Sequence, residues 1–206
     1  MTKFIMKDKF KYKTAIIILA AGNSSRLGRP KQLLKYKGST LLKNTISEAL
    51  KVYNSFVIVV TGANHNEVEK QLNTAEINIC FNPEWETGMS SSIVKGLNEL
   101  LLLKPDSNEC IFAVCDQPFV NNLIFEHLIR HYHKSKKRII ASAYSETLGT
   151  PVLFHKKYFN ELLELSGQEG AKKIIKKHQN DVYSIPFEKG NIDIDTEEDY
   201  NKLVSE

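Results

Sequence analysis

The chain has 206 residues, of which 42% are hydrophobic and 25% charged, and it carries a formal net charge of +4. That length supplies one well-buried domain and is short for two, and the composition excludes disordered and collagen-like classes. A mild net charge built from interspersed acids and bases argues against a nucleic-acid partner, and no run approaches the roughly 20 apolar residues of a membrane span.

Residues 1–13 alternate lysine with apolar side chains and lack the apolar core and cleavage site of a secretory signal. They read as a basic N-terminal arm, with the domain proper at 14–206. Cys80, Cys110 and Cys115 show no CxxC spacing, which points to reduced thiols and a cytoplasmic protein.

An apolar run at 16–21 reads as a buried strand and breaks into a polar loop carrying Gly22, Arg26, Gly28 and Lys31. Gly22 is expected to supply positive φ and close backbone approach, while Asn23, Ser24 and Ser25 offer donors and Arg26 and Lys31 offer charge. The loop reads as a phosphate cradle, or else as a plain strand-to-helix connection whose cations face water. It is neither a G-x-G-x-x-G fingerprint nor a P-loop.

Further along, 40–52 has the spacing of an amphipathic helix, and 56–60 is a β-branched run apolar on both faces, as a central parallel strand should be. A helix at 67–72 and a strand at 77–81 follow. Gly88, Met89 and Ser90 to Ser92 precede a helix that a serine is expected to cap. A strand at 110–115 ends in Asp116-Gln117-Pro118, which places an acid where open α/β sheets bind ligands. Then come a helix at 122–133, strands at 138–143 and 151–154, helices at 157–165 and 171–177, and a strand at 182–186. An extended acidic pair, Asp193 and Asp195, runs into a last helix capped by Thr196 or Asp195. This alternation predicts a single α/β domain with a mostly parallel sheet.

His127, His131 and His133 lack any third-ligand pattern and read as a solvated helix face, with Lys134 to Arg138 as its exposed continuation. Asp116, Asp193 and Asp195 have the oxygen chemistry that magnesium prefers. Asp193 and Asp195, alternating on a strand, would point the same way, so either could face a metal, and Asp195 serves equally as a cap. The serines at 90–92 divide between capping and substrate contact.

The string from Leu19 to Lys31 resembles the LAAG-x-S-x-R-M-G-x-x-K signature of the MobA-like nucleotidyltransferases, and among these it looks most like the molybdenum cofactor cytidylyltransferases. The likeness continues through Gly88-Met89, Asp116-Gln117-Pro118, Gly149-Thr150-Pro151-Val152, the segment from Gly167 to Lys172, and Asp193 to Thr196. It implies a Rossmann-like three-layer sandwich of the nucleotide-diphospho-sugar transferase type. It also implies a magnesium-dependent enzyme that moves CMP from CTP to the phosphate of molybdopterin, with release of pyrophosphate.

Carried onto this chain, the likeness places the nucleotide on Leu19, Ala20, Ala21, Gly22, Asn23, Ser24 and Ser25, with Thr61, Asn82 and Ser92 in the same set. Arg26 would contact the triphosphate and Lys31 the α-phosphate, Asp116 would hold metal together with Asp193 or Asp195, and Ala21 would favour cytosine over guanine. The acceptor falls to Gln117, Gly149, Thr150, Pro151, Gln168 and Lys172. Three of these depart from the family pattern, since Thr150, Gln168 and Lys172 stand where His, Asp and Arg are usual, and Cys115 replaces a glycine. Rival readings are nucleotidyl transfer to a sugar or polyol phosphate, and a non-catalytic chaperone that hands cofactor to a client molybdoenzyme.

Overall fold

The computed structural model describes residues 14–72 and 76–205, so the arm at 1–13 lies outside it. In chain order the elements are β1 (Thr14–Ala20), a small hairpin of β2 (Lys35–Tyr36) and β3 (Ser39–Thr40), α1 (Leu41–Leu50), β4 (Ser55–Thr61), α2 (His65–Gln71), β5 (Ile77–Phe81), α3 (Met89–Leu103) and β6 (Glu109–Val114). They continue as α4 (Asn122–Lys134), β7 (Ile139–Tyr144), β8 (Thr147–His155), α5 (Phe159–Leu163), α6 (Lys172–Lys177), β9 (Val182–Pro186) and α7 (Glu197–Ser205).

Seven strands form one sheet in the order β5-β4-β1-β6-β8-β7-β9. β1 pairs in parallel with β4 and β6, β4 with β5 and β7 with β9, while β8 runs antiparallel to both its neighbours. The central strands are apolar on both faces because both faces are covered. Ile16, Ile18, Val57 and Val59 pack towards Ile46, Val68 and Phe125 of α1, α2 and α4. Their neighbours Ile17, Leu19, Ile58 and Val60 pack the other way, towards Leu97, Leu162 and Ile174 of α3, α5 and α6. The result is a three-layer α/β sandwich. α3 lies so close to the sheet that a Cβ on Gly96 would stand 2.6 Å from Ile17 Cγ2 and 2.8 Å from Val60 Cγ2.

A third apolar cluster, Leu27, Leu34, Leu41, Ile194 and Leu203, sits beyond the strand ends. It joins the opening loop to the C-terminal segment, two stretches far apart in sequence.

Several expectations change. No serine caps α3: Gly88, at φ 121°, precedes it without a side-chain cap, and Ser90 to Ser92 lie inside the first turn. The Ser91 hydroxyl instead donates to the carbonyls of Glu84 and Gly88. The acidic pair is not on a strand, because 191–195 forms no ladder. α4 ends at Lys134, and residues 135–138 turn away rather than continue it. β8 begins at Thr147, four residues before its predicted start, after a tight turn in which Ser145 and Glu146 hold positive φ. Thr196 caps α7, its hydroxyl accepting from the Asp199 amide at 3.2 Å while the Asp199 carboxylate accepts from the Thr196 amide at 2.8 Å.

Candidate active site

The carboxyl ends of β1 and β6 open onto two adjoining cavities. One, of about 500 Å³, is walled by the opening loop, Trp85 and Ser92. The other, of about 470 Å³, is walled by the β7–β8 turn, Lys172 and Asn191. Asp116, Leu19, Met89, Val114 and Gln168 line both, so Asp116 stands where the two meet.

The opening loop is shaped largely by its own side chains. Positive φ falls at Ser24 and Gly28, not at Gly22. The Asn23 carboxamide accepts from the Ser25 amide at 3.2 Å, and the Ser24 hydroxyl accepts from the Lys31 amide at 3.0 Å, so these groups help to turn the chain. Gly22 is exposed, with open space where a Cβ would be, which leaves its backbone approachable. Buried Gln32 donates to the carbonyls of Ala20 at 2.9 Å and Gly22 at 2.8 Å, tying the loop to the end of β1.

Lys31 lies between two acids. Its ammonium donates to Asp116 Oδ2 at 2.7 Å and Asp195 Oδ1 at 2.8 Å, and Arg26, on the exposed rim, donates to Asp195 Oδ2 at 2.5 Å. Burial alone would lower the Lys31 pKa, but the adjacent Asp116 charge and the hydrogen bonds to both acids hold it well above the ordinary lysine value. Partial burial would raise the Asp195 pKa, yet Lys31 and Arg26 bring it below the ordinary aspartate value. Asp193 goes the other way, raised by partial desolvation and by the charges of Asp195 and Asp116. Cys115 is buried, and that burial pushes its thiol up to about 12.

Among the predicted site residues, Ala20, Ala21, Gly22, Asn23, Ser25, Lys31 and Ser92 line the first cavity, while Gly149, Thr150, Lys172, Gln117 and Asp193 line the second. Arg26, Ser24, Asp195, Thr61, Asn82 and Pro151 line neither. Fully buried Thr61 spends its hydroxyl on His65 Nδ1 at 2.8 Å. Buried Asn82 donates to the hydroxyls of Ser91 at 2.9 Å and Ser92 at 3.0 Å, fixing the start of α3. Gln117 is buried and points to the backbone of Gly190. The three histidines form no metal site: His131 stacks on Tyr183, and among the described residues no group of three or more His, Cys, Asp and Glu side chains is assembled to hold an ion by themselves.

Sequence reasoning missed Gln32 and Trp85 on the first cavity and Tyr144, Ser145, Thr147 and Asn191 on the second. The turn carrying Tyr144 to Thr147 lacks the Gly or Asn that marks a two-residue hairpin, so it gave no signal.

The MobA-like NTP transferase domain model matches residues 16–182. The chain belongs to that family. Molybdenum cofactor cytidylyltransferase of Escherichia coli (strain K12) is 27% identical over 187 residues, covering 89% of this chain and 92% of that protein. Nicotine blue oxidoreductase of Paenarthrobacter nicotinovorans is 33% identical over 130 residues, covering 63% of this chain and 61% of that protein. Rv0371c from Mycobacterium tuberculosis H37Rv has the same fold, with a TM-score of 0.82 at 25% identity, covering 96% of this chain and 100% of that one. A structure of Rv0371c in complex with manganese gives a TM-score of 0.78 at 24% identity, covering 94% of this chain and 98% of that one. This MobA-like chain is thus a nucleotidyltransferase by family, on a mostly parallel α/β sheet.

Proposed function

We propose that this MobA-like chain transfers CMP from CTP to the phosphate of molybdopterin, releasing pyrophosphate, with Asp116 and Asp193 holding a magnesium or manganese ion. The observation that carries this reading is the meeting of the two cavities at Asp116. A transferase needs two adjacent pockets and a junction at which charge is neutralised, and little covalent chemistry from the protein.

The donor set suits a hard divalent cation. Asp116 and Asp193 line the same cavity, and such a cation takes one or two carboxylates together with substrate phosphates. The like charges that raise the Asp193 pKa are those a cation would relieve. When bound, the ion supplies Lewis-acid neutralisation of phosphate charge.

The remaining steps belong to the chain's own residues. The approachable backbone at Gly22 admits the triphosphate to the first cavity. Lys31 exchanges its carboxylate partners for phosphate oxygens, and Arg26 adds a forked donor from the rim. The acceptor, seated near Lys172 and Thr150, presents a phosphate oxygen to the α-phosphorus. A lone pair on that oxygen forms the new P–O bond, while the electron pair of the α–β bridge leaves with pyrophosphate. Ala21, packed beside Trp85 and Gly62, and the Escherichia coli relative support cytosine as the base.

The test is pyrophosphate release with each of the four nucleoside triphosphates, Mg²⁺ or Mn²⁺, and molybdopterin. CTP is expected to be preferred. Preference for GTP would overturn the base, and release with sugar phosphates but not with molybdopterin would overturn the acceptor.

A further inference from the structure

The side chain that follows Asp116 is almost wholly buried. Gln117 is only 3% exposed, its Nε2 donates to the carbonyl of Gly190 at 2.6 Å, and its Oε1 is covered and without a partner. Gln117 borders the second cavity, but its Oε1 is covered and its Nε2 is engaged by the Gly190 carbonyl, so the amide is committed to the protein's own backbone.

What it does hold is the segment carrying Asp193. Gly190 is buried beneath the rings of Tyr144 and Phe187, and a Cβ there would stand 2.6 Å from Phe187 Cδ1. Four residues later the Ile194 amide donates to the Asp116 carbonyl at 3.0 Å. The Lys189 ammonium lies 4.2 Å over the Phe119 ring, a third bond between the same two stretches. Residues 116–119 therefore grip the chain on both sides of Asp193, and the Gln117 amide is the grip on its N-terminal side. With no strand ladder at 191–195 to set direction, these contacts help to hold Asp193 on the cavity that Asp116 also lines.

We propose that Gln117 is a positioning residue, which fixes Asp193 beside Asp116 through the Gly190 carbonyl. This rests on the reading that Asp193 holds metal, and outer partners of metal ligands change affinity by roughly 10–100-fold when removed.

The experiment uses the full chain with Gln117→Met, which keeps length and loses the donor, Asp193→Asn, and the double variant. Mn²⁺ affinity is read by electron paramagnetic resonance with CTP present, and amide exchange at Ile194 is read without metal or nucleotide. The expected result is a roughly 10-fold or greater weakening of Mn²⁺ binding in Q117M, faster exchange at Ile194, and no further loss of affinity in the double variant over D193N. Unchanged exchange and Mn²⁺ affinity with a raised acceptor KM would overturn the proposal. So would additive losses in the double variant. If D193N leaves Mn²⁺ affinity intact, the metal assignment fails, and exchange at Ile194 still judges whether Gln117 holds the segment. Gln117→Asn, too short to reach Gly190, is expected to behave as Q117M does and serves if that variant does not fold.

Discussion

Lys31 is the residue on which the opening loop and the acids converge. Its side chain is 15% exposed and its ammonium bridges Asp116 and Asp195, so under the proposed function a triphosphate must draw it off two carboxylates before it serves a phosphate. Lys31→Met removes the charge at similar length. Turnover is expected to fall by about 10²–10³-fold, the scale of losing one donor aimed at transition-state charge. Mn²⁺ binding to the protein without nucleotide is expected to tighten, because Asp116 and Asp195 then lose the ammonium that bridges them. Equal Mn²⁺ affinity in the two proteins, measured by titration, would show that Lys31 does not compete for the acids. Arg at this position is a poor replacement, since a fork cannot sit as a point charge between two carboxylates.

At the scale of elements, Asp181 joins the starts of β7 and β9 to the turn before α5. Its carboxylate accepts from the Arg138 amide at 3.0 Å, Lys157 Nζ at 3.1 Å and Tyr158 Oη at 2.5 Å. Burial would raise its pKa, but the bonds from Tyr158 and Lys157 bring it below the ordinary aspartate value. A depressed acid stabilises the fold above its unfolded pKa and loses that contribution as pH falls through its folded value. Asp181→Asn is therefore expected to lower stability at neutral pH, and the gap from the wild type should narrow as denaturation curves are taken below the usual aspartate range. A gap constant with pH would rule out the charge as its source.

The main-sheet strands and most helices were legible because their patterns are local: continuous β-branched runs for β1, β4 and β6, and helical spacing in α1 and α4. The expected serine cap of α3 does not form because serine at a helix start is only a correlation, whereas Gly88 holds a positive φ where the chain passes tightly under Gly167. Asp193 and Asp195 alternate as a strand would, yet no neighbouring strand pairs with them. Their directions come from Lys31 and residues 116–119, partners distant in sequence. Tyr144 and Gln32 reach the cavities for the same reason, through tertiary placement that no short pattern records.

The whole molecule brings one distant pair of segments together through the third apolar cluster. Ile194, wholly buried there with Leu27, Leu34, Leu41 and Leu203, lies between the two acids whose positions matter. Cutting it to alanine removes packing between the opening loop and the C-terminal segment, at a cost of about 2–5 kcal/mol for a buried large-to-small change. For a domain of this size each kcal/mol lowers Tm by roughly 2–4 °C. Because the strand ends and both main core clusters are untouched, the loss should be felt first where Lys31 meets Asp195. Ile194→Ala is therefore expected to lower Tm and, at temperatures where the protein remains folded, to reduce turnover as well. Leu100→Ala, wholly buried in the cluster under α3 and away from the cavities, is expected to lower Tm comparably with turnover kept. Equal losses of turnover in the two variants would mean that the third cluster supports stability alone and does not hold the site.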